Sequence, residues 1–103
     1  MTKAQVIHQL GAPEAMVWQE WPVPDPAPGE VRVRHTAVGV NFADTYHRGG
    51  ISHPWPVPPC PVVIGFEAVG IVEGVGDGVA GFAAGDRVAY GIPPLGAYAE
   101  VRN

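Results

Sequence analysis

Asn41, Phe42, Ala43, Asp44, Thr45 and Tyr46 form one unbroken run. Its amide, carboxylate, hydroxyl and phenol are groups that hydrogen-bond, and Tyr46 adds a flat apolar face. The run has no thiol and no imidazole. The same residues also have a plainer reading. Asn41 is a good helix cap, Asp44 a good first-turn charge, and Tyr46 a ring suited to half-buried packing.

Other candidate chemistry is weaker. His35, His47, His53 and Cys60 match no compact zinc spacing, and Cys60 stands between Pro59 and Pro61. No local motif makes Cys60 a nucleophile. Glu67 lies between apolar residues, where an ion pair with an arginine is the simpler expectation. Gly76, Gly78 and Gly81 fit G-x-G-x-x-G, but only Phe82, Ala83 and Ala84 follow before Gly85. That is too short for the helix a dinucleotide fingerprint opens, so a turn is expected. Gly65 and Gly70 have the P-loop spacing without the following lysine.

The elements that must position the 41–46 run are mostly strands. Apolar alternation predicts strands over 3–9, 15–20 and 30–38, the last with Val31, Val33 and Ala37 toward a core and Arg32 and Arg34 toward water. Asn41 caps a helix over 42–48, and Gly49 and Gly50 stop it. Residues 62–75 read as a strand pair or one bent strand, interrupted by Gly65 and Gly70. Further strands are expected over 86–90 and 96–101. The proline-rich stretches 21–29 and 52–61 cannot lie inside a sheet or helix, because proline lacks the amide donor. Trp18, Trp21 and Trp55 flank them as packing residues or as a docking surface. Many short strands, one helix and frequent turns predict a mainly β domain, a partly open barrel.

A chain of 103 residues fits one domain. It carries 14 glycines and 12 prolines, yet 47% of its residues are hydrophobic and they cluster, which argues against disorder. The six Lys and Arg are scattered and the net charge is −4, so there is no patch for nucleic acid. No apolar run is long enough for a membrane helix, and the N-terminus lacks a signal-peptide core. The single cysteine excludes an internal disulfide and fits a cytoplasmic setting.

Four stretches in order carry a resemblance. They are Pro28-Gly29-Glu30-Val31-Arg32-Val33; Asn41-Phe42-Ala43-Asp44-Thr45-Tyr46; Gly65-Phe66-Glu67-Ala68-Val69-Gly70; and Gly85-Asp86-Arg87-Val88 followed by Gly96-Ala97-Tyr98-Ala99-Glu100. Together they resemble the GroES-like catalytic domain of the medium-chain dehydrogenase/reductase superfamily, across essentially residues 1–103. The second stretch is similar to zinc-free quinone oxidoreductases in particular, the zeta-crystallin-like group. Zinc members of the superfamily place a cysteine in the cleft segment and a histidine before the strand glutamate. Here those places resemble residues 41–43 and Phe66, and the cysteine-rich lobe is absent, so no metal is expected.

The resemblance implies an NADPH-dependent reductase that passes hydride to a quinone or activated enone. It implies catalytic roles for Asn41 and Tyr46, and contact of residues 41–46 with the nicotinamide and its ribose. Asp44 would bind a ribose hydroxyl or hold the cleft helix. Many relatives carry a second tyrosine where this chain has residues 51–54, which implies a differently shaped substrate pocket. The cofactor side would come from a C-terminal Rossmann-type domain outside residues 1–103, and the full-length enzyme would form a homodimer. Without that domain the chain is expected to be inactive. The competing reading is a stand-alone GroES-like interaction module.

Overall fold

The computed structural model describes residues 2–51, 56–91 and 93–103. Expectations placed on His53, Trp55 and the segment between Ile51 and Trp55 lie outside the described residues. Among them are seven strands and one α-helix: β1 (Lys3–Ile7), β2 (Met16–Glu20), β3 (Val31–Val38), α1 (Phe42–Gly49), β4 (Val62–Val63), β5 (Ala68–Val75), β6 (Arg87–Tyr90) and β7 (Val101–Arg102). They form two antiparallel sheets, β2-β1-β4 and β6-β5-β3-β7. The mainly β reading holds.

The stretch before β7 joins the sheets. Tyr98 N–H donates to Ile64 O at 2.9 Å, and Gln5 N–H donates to Tyr98 O at 2.8 Å. One step on, Glu100 N–H donates to Lys3 O, and His35 N–H to Glu100 O, each at 2.9 Å. One strip of backbone thus bonds β1 on one side and β3 on the other. The two sheets are thereby bonded to each other along this seam. The strip is not the regular strand expected over 96–101. Only Val101 and Arg102 are strand, with a single bridge between Ala4 and Ala99. The reason is local. Gly96 and Ala97 both spend their N–H groups on the Gly65 carbonyl, at 2.8 and 3.1 Å, which bends the chain away from a ladder.

Both sheets contribute buried apolar residues. Ala4, Val6 and Val63 cluster against Trp21, Tyr98 and Ala99, and Ile7, Ile64 and Val72 are fully buried. Each such side chain contributes about 1.5–3 kcal/mol by leaving water. The expected stretch 62–75 divides, with β4 joining the first sheet and β5 the second.

Ala37 is exposed, against expectation. Pairing runs His35 to Gly70 and then Ala37 to Val69, so Thr36 is an extra residue in β3. The bulge breaks the alternation, and Thr36, Ala37 and Val38 are all exposed. Arg32 is half-buried rather than solvated, and donates to the carbonyls of Val23 and Pro24 at 2.8 and 2.6 Å. The turn expected at Gly76–Gly81 is confirmed. Gly76 N–H donates to Glu30 O at 2.7 Å, and no helix follows among the described residues.

Candidate functional site

The chain leaves β3 in extended conformation, and Asn41 (φ −126°, ψ 151°) begins α1. At the other end Gly50 takes φ 83°, a left-handed conformation that glycine adopts at little cost. There its N–H donates to Tyr46 O at 2.9 Å. Helix α1 is fastened at both ends. At the C-terminal end, Gly11 N–H donates to Arg48 O and Arg48 Nε donates to Gly11 O, at 2.9 and 3.1 Å.

At the N-terminal end the anchor is Asp44, which is 3% exposed. Its Oδ2 accepts the Asn41 backbone N–H at 3.0 Å and the Tyr98 hydroxyl at 2.6 Å. Burial, and then the carboxylate it donates to, push the Tyr98 phenol well above its ordinary 10.0. Tyr98 therefore stays protonated and remains a donor. Its ring lies over Gly65, where a Cβ would overlap it.

The 41–46 run divides by face. Ala43 and Asp44 point inward, while Phe42 is 74% exposed and Val40 81% exposed. Tyr46 is half-buried and meets the Phe42 ring edge-on, with centroids 5.4 Å apart. Thr45 Oγ1 donates to the Phe42 carbonyl at 2.6 Å. Two polar atoms here are buried and have no hydrogen-bond partner among the described residues: Asn41 Nδ2 and Asp44 Oδ1. Buried polar groups are normally satisfied, so a lone amide donor at the start of this helix suits a ligand acceptor. Beside it the exposed Phe42 ring and half-buried Tyr46 offer aromatic surface.

A groove of about 400 Å³ lies next to this region. Trp18, Val38, Val40 and Tyr98 line it, so it reaches the residue before Asn41 but not Asn41 itself. Among the described residues no three His, Cys, Asp or Glu side chains gather as a metal site.

The other residues weighed from sequence are placed elsewhere. His35 serves the seam. Its Nδ1 contacts the Ala99 carbonyl at 2.6 Å and its Nε2 the Tyr90 hydroxyl at 2.8 Å. A carbonyl only accepts, so Nδ1 carries the proton and Nε2 receives the Tyr90 O–H. Burial holds this imidazole below its ordinary 6.5; the Ala99 bond opposes that and Arg102 adds to it. Glu67 has no arginine partner among the described ion pairs, which are Arg32 with Asp25 and Arg34 with Glu73. It lies across Gly39, whose N–H donates to the Glu67 carbonyl at 3.0 Å. Tyr98 was not foreseen as part of the site. Its only signal in the sequence was its place in the Gly-x-Tyr-Ala-Glu stretch.

Residues 27–102 match the alcohol dehydrogenase GroES-like domain family. The chain is 55% identical to a 2-haloacrylate reductase from a Burkholderia species, covering 99% of this chain and 31% of that protein. It is 46% identical to quinone oxidoreductase 1 of Escherichia coli, covering 93% of this chain and 28% of that protein. A quinone oxidoreductase structure from Pseudomonas syringae superposes with a TM-score of 0.91 at 46% identity, over 98% of this chain and 30% of that one. An Escherichia coli quinone oxidoreductase solved with NADPH superposes with a TM-score of 0.88 at 43% identity, over 96% and 29%. The chain thus spans under a third of the length of these relatives.

Proposed function

The chain belongs to the alcohol dehydrogenase GroES-like domain family, and from that premise we propose that it is the substrate-side domain of an NADPH-dependent reductase acting on a quinone or an activated alkene. The observation that carries this reading is Asn41 Nδ2, buried without a hydrogen-bond partner among the described residues, at the start of the helix that brings Phe42 against Tyr46, in a chain 46% identical to a quinone oxidoreductase.

In this proposal NADPH supplies the hydride. Asn41 donates its amide to the nicotinamide, and residues 41–46 form the wall that the ring and its ribose meet. Tyr46 lines the substrate side with its ring and offers its hydroxyl to the acceptor oxygen. Phe42 and Val40 exclude water from that wall. Asp44 serves by holding the helix start, since its Oδ2 is already committed to Asn41 and Tyr98. No zinc takes part, because Asn41, Phe42, Ala43 and Phe66 offer neither thiolate nor imidazole where zinc relatives have them.

The cofactor side comes from a Rossmann-type domain outside residues 1–103. The chain alone then binds NADPH weakly and does not turn over. The complete protein is a cytoplasmic homodimer in this account. Similarity to a 2-haloacrylate reductase supports the alkene branch, since 2-haloacrylate is an alkene activated by a carboxylate.

Asn41→Ala and Tyr46→Phe test the assignment in the protein extended through the reading frame after Asn103. Loss of one net hydrogen bond of about 0.5–1.5 kcal/mol lowers kcat/KM by up to roughly tenfold in each. Unchanged kinetics in both variants would refute the assigned roles.

A further inference from the structure

Helix α1 needs a fixed origin if Asn41 is to meet a ligand ring at a defined place. Thr45 and Phe42 bond only within the helix, and the Arg48 tie to Gly11 lies at the far end. The N-terminal end reaches the barrel through one side-chain hydrogen bond among the described residues, from Tyr98 to Asp44.

Tyr98 is itself immobilised. Its N–H is bonded to Ile64 O at 2.9 Å and its carbonyl accepts from Gln5 N–H at 2.8 Å. Its ring rests on the bare backbone of Gly65. Strand β1 and the segment after β4, both belonging to the first sheet, therefore define where the phenol oxygen sits. From there the link runs through Asp44 Oδ2 to the backbone N–H of Asn41, in bonds of 2.6 and 3.0 Å. A single carboxylate oxygen takes both bonds, so moving one donor disturbs the other.

We propose that Tyr98 is a positioning residue for this site: through Asp44 it sets the location of Asn41, and with it the geometry of hydride transfer. The inference rests on the proposed role of Asn41. The hydroxyl acts only by position, because burial and the neighbouring carboxylate keep it protonated across the working pH range. Small displacements of a positioning element are costly, roughly a hundredfold in rate for a 1 Å shift.

Tyr98→Phe removes the donor and keeps the ring on Gly65. In the extended protein kcat for NADPH oxidation with a 1,4-quinone should fall about ten- to a hundredfold, with the KM for quinone little changed. Asp44→Ala removes both bonds and should lose at least as much. Asp44→Asn keeps a side-chain carbonyl that can accept both bonds, and should recover part of the loss. Tyr98→Phe combined with Asp44→Ala should be no worse than Asp44→Ala alone, since the Tyr98 bond ends on Asp44. Wild-type kcat in Tyr98→Phe, or additive losses in the double variant, would overturn the proposal.

Hydrogen exchange in the 103-residue chain separates this proposal from the function it rests on. Tyr98→Phe should speed exchange of the Asn41 amide at least tenfold and leave the β3 and β5 amides unchanged. Unaltered Asn41 exchange would overturn the link whatever the kinetics show. Faster exchange with no quinone or alkene reduction by the wild-type extended protein would retain the link and reject the function.

Discussion

Gly11 and Arg48 are bonded to each other twice, Gly11 N–H to Arg48 O at 2.9 Å and Arg48 Nε to Gly11 O at 3.1 Å. The pair ties the last turn of α1 to the connection between β1 and β2. A cation in a last helical turn also opposes the negative end of the helix dipole. The helix is only eight residues long, too short to be stable on its own, so its tertiary anchors decide whether it forms.

Arg48→Met keeps the aliphatic stem and removes one of the two bonds. Unfolding in urea should show a loss of about 1–2 kcal/mol. An unchanged midpoint would mean that the backbone bond from Gly11 suffices.

Gly65→Ala should be more damaging than an ordinary glycine substitution. Gly65 has φ 91°, and the added methyl meets the Tyr98 ring. Backbone strain alone costs on the order of 1–3 kcal/mol, and the displaced ring adds to it. The expected result is a clear fall in the urea midpoint together with faster exchange at Asn41. Wild-type stability would show that the ring can shift without cost.

The seam at His35 predicts a pH dependence. Neutral His35 donates from Nδ1 and accepts at Nε2; protonation turns Nε2 into a donor facing the Tyr90 hydroxyl, with Arg102 stacked on the Tyr90 ring 5.1 Å away. Its folded pKa is below the unfolded 6.5, so the unfolded chain binds the proton first as pH falls. The contribution is complete above 6.5 and is lost as pH drops from there through the folded value, by at most about 1.4 kcal/mol per pH unit. His35→Gln should flatten that slope in urea titrations between pH 7 and 5. An equal slope in both proteins would assign the dependence to other groups.

Much of this arrangement was legible before any coordinates. Alternation placed β3, the proline stretches marked the connectors, and Asn41 with Gly50 marked both ends of α1. Three things were hidden for physical reasons. The bulge at Thr36 depends on the partner strand, so the exposure of Ala37 does not show in the alternation. The strip before β7 looks like a strand in composition, but its amides are claimed by Gly65 and Ile64, which are distant in sequence. The bond between Tyr98 and Asp44 spans 54 residues, and no local pattern announces such a contact. Residues 41–46 stand out in the sequence because they are contiguous. Tyr98, which bonds Asp44 among them, does not.

Val40 and Phe42 separate surface from site. Both are strongly exposed, so Val40→Ser and Phe42→Ser should leave the stability of the 103-residue chain within about 0.5 kcal/mol of wild type. In the extended protein the same changes should raise the KM for NADPH or quinone. Unchanged KM in both variants would place the ligand elsewhere.

The most direct test compares NADPH oxidation by the 103-residue chain and by the chain extended through its following reading frame, each offered 1,2- and 1,4-quinones and 2-haloacrylate. The account predicts turnover in the extended protein alone. Steady-state turnover by residues 1–103, or none in either form with every acceptor, would contradict it.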